Sequence, residues 1–230
     1  MSNATTLNLD NAIHRGLDLQ AASSDRAIAI NRDFGEYERF IDTTAKYPLT
    51  AGAEYNMIGF GNELGEFAEY VLLLLADNEA NVGETMLRIN AELGDTQWYV
   101  ARYCLHVGYK FSDLVREAMA LATQPEYSVQ GDFISPSTFA LHLFVDFGMA
   151  AGIHKKRLRD GDIWTYNQRV AYDDKQIDYL RSYVARCIVW CATTGKMGGV
   201  KSYADLLAQN WEKLADRLDR GVIQGSGDSR

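Results

Sequence analysis

Glu63 and Glu66 in GNELGEFAEYV, and Glu92 and Asp95 in NAELGDTQWYVARYC, are two acid pairs with one spacing. Each pair is i, i+3 within an apolar pattern of helical period, so both carboxylates of a pair leave the same face of one helix. Two such helices laid antiparallel bring four acids together. Buried without partners, that cluster would cost several kcal/mol per ion. A hard divalent cation with oxygen ligands, Mg²⁺ or Mn²⁺ in its place, relieves it. One i, i+3 pair is common on any solvated helix face. Two pairs, each with Gly just before the second acid, are a much narrower signal, and they point to a metal site.

The elements that must hold these acids are helices. Helical patterns run over Tyr37–Thr44, Ala53–Ala76, Glu84–Val107 and Phe111–Leu121, then Thr138–Asp160, Lys175–Thr194 and Tyr203–Asp219, with a short helix near Ala21–Ile30. Between Thr123 and Ser137 stand two of the three prolines together with Gly and Ser, which reads as a linker. β-type alternation is scarce. The expected fold is all-α, with tandem four-helix-bundle-like units: an N-terminal arm over 1–30, a first unit over 31–122, a linker over 123–137 and a second unit over 138–230.

The same acids carry a family resemblance. ELGE followed by ELGDTQWY resembles the EXXE…EXXD signature of the MazG-like, all-α nucleoside triphosphate pyrophosphohydrolases, and YERFIDTTAKYPLTAGAEYNMIGFGNELGEFAE resembles that family's approach to its first acid pair. The tail NWEKLADRLDRGVIQGSGDSR is similar to the ending of phage and bacterial members. The resemblance implies attack by water on the α-phosphorus of a nucleoside triphosphate, releasing monophosphate and pyrophosphate with Mg²⁺ held by Glu63, Glu66, Glu92 and Asp95. It implies a role in nucleotide-pool control, with a phage context and a purine such as dGTP among the options for the base. Glu66 is the expected general base. Glu69 continues the ladder and replaces Glu63 if the helix is phased one turn on.

The two halves of the chain also resemble each other. FGMAAGIHKKRLRDG matches the first acidic helix and YLRSYVARCIVWCATTG the second, which sets Asp146, Met149, Val184 and Cys187 against the four acids and Trp190 against Trp98. Val, Met and Cys cannot hold Mg²⁺. The second copy keeps Lys155 and Lys156 where the first has Leu72 and Leu73, and it alone carries Asn210, Lys213 and Arg217. Metal from the first unit and phosphate contacts from the second then make one composite site, within a chain or shared across a dimer. The competing reading of Lys155 and Lys156 is a solvated basic helix end. Tyr99, four residues after Asp95, is a further phosphate contact or a core aromatic. Gly225 and Gly227 offer backbone N–H groups to phosphate or belong to a loose terminus. Tyr55 and Phe60 are candidates for the base pocket.

Composition bounds the rest. With 230 residues, 47% of them hydrophobic, the chain can build a sizeable core. A formal charge of −8 without a basic block argues against a nucleic-acid partner. Cys104, Cys187 and Cys191 lie in apolar helical surroundings and read as reduced core residues, in keeping with the cytoplasm. No apolar run is long enough for a membrane partner. The scattered histidines include no Glu-x-x-His pair, and no phosphate-binding glycine loop is present. A homodimer is expected, because a duplicated unit makes each chain half of the four-unit assembly common among the relatives. Two other functions stay open: a catalytically decayed helical scaffold, and a module that senses a nucleotide without cleaving it.

Overall fold

The computed structural model describes residues 24–76, 81–124, 127, 136–160 and 174–223. Among them are eight α-helices and no strand, so the fold is all-α. They are α1 (24–32), α2 (Gly35–Thr44), α3 (Gly52–Ala76), α4 (Val82–Val107), α5 (Phe111–Leu121), α6 (Pro136–Asp160), α7 (Asp174–Met197) and α8 (Tyr203–Asp219), with a 3₁₀ turn at Leu49–Ala51 before α3. Expected boundaries differ by a few residues at helix starts. The N-terminal arm up to residue 23, most of the expected linker, the loop over 161–173 and the tail glycines Gly225 and Gly227 lie outside the described residues.

Local chemistry sets the ends of the helices that matter for the acids. Asn81 caps α4 by accepting from the Glu84 N–H, which satisfies one of the orphan donors of the first turn. The other end stops at Gly108, whose φ of 88° lets the Tyr109 N–H return to the Cys104 carbonyl. Ser202 caps α8 by accepting from the Asp205 N–H.

Apolar residues at helical spacing then decide the packing. Met57, Phe60, Leu64, Phe67 and Val71 of α3 are buried, as are Ile89, Leu93, Val100 and Cys104 of α4. α3 packs along α4, and α6 along α7. α8 lies against α4 and α2, and α5 against α7. One buried apolar cluster draws on all eight helices, from Ala27 to Ala208. The three cysteines are free and buried within it, and burial raises their thiols. No helix is long and apolar enough to cross a membrane among the described residues.

Candidate functional site

α3 and α4 run antiparallel in a register that three pairs of side chains fix. A Cβ on Gly52 would meet His106, a Cβ on Gly59 would fall 2.1 Å from the Tyr99 ring, and Glu63 stands beside Asp95. Gly59 is therefore required by close approach: any side chain there displaces Tyr99. With this register, carboxylate oxygens of Glu63, Glu92 and Asp95 come within 4.8 Å of one another. Glu66 lies half-buried one turn along α3 and accepts from the Asn62 amide at 2.7 Å. Glu69 is exposed and outside the cluster, so the alternative phase is not the one adopted.

The electrostatics are those of an under-neutralised acid cluster. The Glu63 carboxyl is pushed from its ordinary 4.5 to about 8, first by burial and then by the charges of Asp95, Glu66 and Glu92, with Lys213 opposing. Three carboxylate donors this close, with Glu63 raised by burial and by its acidic neighbours, fit a hard divalent cation. Glu63, Glu92 and Asp95 are the residues that would hold it; Glu66, the fourth expected ligand, lies outside the group of close oxygens.

α8 brings the other half of the site. Asn210 is buried, donates to Asp95 Oδ1 at 2.6 Å and accepts from the Tyr37 hydroxyl at 2.6 Å. Lys213 forms an ion pair with the other oxygen of Asp95. Arg217, one turn further on, is buried and lines the same opening as Glu63 and Asp95. That opening is a cavity of about 290 Å³ walled by Tyr55, Trp98, Tyr99, Thr44 and Lys46, with Leu214 and Ile223 on the α8 side. Burial, then Tyr55 and Glu63, raise the Tyr99 phenol, so it stays a neutral hydrogen-bond donor.

The structure thus gathers Glu63, Glu92, Asp95, Tyr99, Asn210, Lys213 and Arg217. Lys155 and Lys156 are exposed on α6 and do not line this cavity. Of the two aromatics proposed for a base pocket, Tyr55 lines the cavity, whereas Phe60 is a core residue packed edge-on against Phe147. Thr44, Lys46 and Trp98 escape a reading by helical pattern. Thr44 and Lys46 flank the end of α2, and Trp98 turns its ring toward them by donating from Nε1 to Thr44 Oγ1 at 2.8 Å.

The positions matched to the acids in the second half look different. Asp146 is buried and accepts from Arg186 at 2.7 and 2.9 Å and from Trp190 Nε1 at 2.7 Å. Val184 and Cys187 are buried apolar positions, and Met149 is about half exposed. A guanidinium fills the electrostatic need there.

Comparison with family models, with curated proteins and with solved structures finds no match. The geometry therefore stands by itself as the ground for a function.

Proposed function

We propose that the chain is a Mg²⁺-dependent nucleoside triphosphate pyrophosphohydrolase, converting a (d)NTP and water to the monophosphate and pyrophosphate. The observation that carries the reading is a cavity lined by Glu63 and Asp95 of the acid cluster, by the cations Lys46 and Arg217, and by the aromatic rings of Tyr55, Trp98 and Tyr99. A nucleotide needs those three kinds of surface: metal ligands, cations for the remaining phosphate oxygens, and a flat apolar wall for the base.

A divalent ion held by Glu63, Glu92 and Asp95 would supply Lewis-acid polarisation of a phosphoryl oxygen and would lower the pKa of a water. The chain's own residues do the rest. Lys213 neutralises Asp95 in the present structure and is the cation that can exchange that carboxylate for a phosphate oxygen. Arg217 and Lys46 line the cavity, where their charge counters that of a triphosphate. Tyr99 donates its neutral hydroxyl. Tyr55 and Trp98 supply faces on which a base can stack. Glu66, which accepts from the Asn62 amide through one of its two oxygens, takes the proton of the attacking water.

The test is pyrophosphate release with Mg²⁺ or Mn²⁺ across a panel of ribo- and deoxynucleoside triphosphates, with Glu63→Gln as control. Pyrophosphate and monophosphate, lost in the control, support the reading. Orthophosphate as the product would overturn it, and so would absence of turnover despite nucleotide-dependent thermal stabilisation, which is the behaviour of a sensing module.

A further inference from the structure

The aromatic wall of the cavity is backed by a second layer. Tyr55 lines the cavity and is 42% exposed, and its ring stacks on Tyr47 with centroids 4.6 Å apart and planes 18° from parallel. Tyr47 belongs to the segment between α2 and the 3₁₀ turn and stands behind the lining residues rather than among them. Its ring also meets Trp98 edge-on, at 6.2 Å and 86°. Two of the wall's three rings therefore rest on this one side chain.

Stacking leaves a ring free to slide in its own plane. The Tyr47 hydroxyl removes that freedom, with Arg102 Nε at 2.9 Å and His106 Nε2 also at 2.9 Å. A guanidinium can only donate, so the Tyr47 oxygen accepts from Arg102 and its own proton is left for His106. Arg102 is 2% exposed and is tied in turn to Asp42 Oδ1 at 2.6 Å, which locks the donor. The His106 ring is admitted by Gly52, where a Cβ would fall 2.1 Å from it. Arg102 and His106 are four residues apart on α4, so one helix face carries both halves of the clamp.

We propose that Tyr47 is a positioning residue for the nucleobase, holding the Tyr55 ring still at the angle on which a base stacks. This role rests on the nucleotide reading of the cavity. Its physical advantage is preorganisation: an exposed ring that must be ordered on binding opposes affinity by the freedom it loses, whereas a ring already braced from behind does not. The effect is confined to the base, because Tyr47, Arg102 and His106 lie off the lining that Glu63, Asp95 and Arg217 share.

Binding is read by calorimetry with two kinds of Mg²⁺ complex. One is the set of four α,β-imido deoxynucleoside triphosphates, which resist cleavage; the other is inorganic tripolyphosphate, a phosphate chain without a base. Tyr47→Leu is expected to weaken nucleotide binding about tenfold, the order of one base–aromatic stack, and to leave tripolyphosphate binding unchanged. In turnover of the natural nucleotides KM should rise by the same factor, with kcat within about twofold of wild type. Tyr47→Phe keeps the ring but cuts the clamp, and should raise the nucleotide Kd and KM by less. Tyr109→Phe is the control: it removes a hydroxyl that donates to the Ile177 carbonyl at 3.0 Å, away from the cavity, and should change nothing. Equal loss of nucleotide and tripolyphosphate in Tyr47→Leu would mark a merely structural residue and overturn the proposal. Nucleotide binding unchanged in Tyr47→Leu or Tyr47→Phe would overturn it too, and pyrophosphate release by those proteins would leave the hydrolase standing. Nucleotide-selective weakening in a protein that releases no pyrophosphate does the reverse. A wild-type protein that binds neither probe sinks both.

Discussion

At the scale of residues, Glu63 is the group whose behaviour is most informative. Its carboxyl is raised to about 8, so between roughly pH 4.5 and 8 the folded protein holds a proton that the unfolded chain has released. Stability from this group is complete below the lower value and is lost as pH rises through the upper one. Metal-free protein is therefore expected to melt at progressively lower temperature from pH 5 to pH 9. The rise in Tm on adding Mg²⁺ should grow over the same range, because binding displaces that proton. Glu63→Gln should flatten the first profile and remove the second, in thermal melts with and without chelator. Asp95→Asn is expected to cost about 10²-fold or more in kcat with little change in fold, because it removes a carboxylate that would hold the cation that stabilises the reacting phosphate. Pyrophosphate assays paired with circular dichroism separate the two effects.

Elements hold these groups through a few contacts that sequence spacing does not reveal. Asn210 ties α8 to α2 and α4 at once, through Tyr37 and Asp95. Asn210→Ala leaves the Tyr37 hydroxyl buried without its acceptor, so a loss of about 1–3 kcal/mol is expected in urea unfolding. Gly59→Ala tests the α3–α4 approach: the added methyl meets the Tyr99 ring, so KM should rise more than kcat falls if Tyr99 positions substrate. In the other helical pair, Asp146→Ala removes the carboxylate from a half-buried Arg186 and the acceptor from buried Trp190 Nε1, and about 1–3 kcal/mol is the expected cost. Replacing both partners by apolar residues should be far milder. That contrast, read by denaturant midpoints, distinguishes a structural ion pair from a second functional site.

For the whole molecule, one core joining all eight helices makes the site's geometry a property of the entire bundle. Its floor comes from α3 and α4, its cations from α8 and the end of α2, and its aromatic wall from α3 and α4. A truncation that keeps the four acids but removes α8 takes Asn210, Lys213 and Arg217 with it. Such a fragment is expected to bind a nucleoside triphosphate more weakly than the intact chain if it folds at all, because the cavity loses Arg217 and Asp95 loses the amide and the ammonium that position it.

Sequence by itself determined the helical class and nearly every helix, because burial of an apolar stripe at a period of 3.6 residues is written directly in residue order. It also singled out Glu63, Glu66, Glu92 and Asp95, since i, i+3 acids inside such a stripe must share a face whatever the tertiary fold, and three of the four cluster in the structure. What it left open were relations between faces of different helices. Lys155 and Lys213 are both cations on amphipathic helices, yet Lys213 reaches Asp95 and Lys155 faces outward. Phe60 and Tyr55 lie little more than one turn apart on α3, yet Phe60 is core and Tyr55 is cavity wall. Thr44 and Lys46 belong to the site because of where α2 ends against Trp98. Such placements depend on interhelical register, which is set by the fit of side chains such as Gly59 against Tyr99, and only the packed structure decides them.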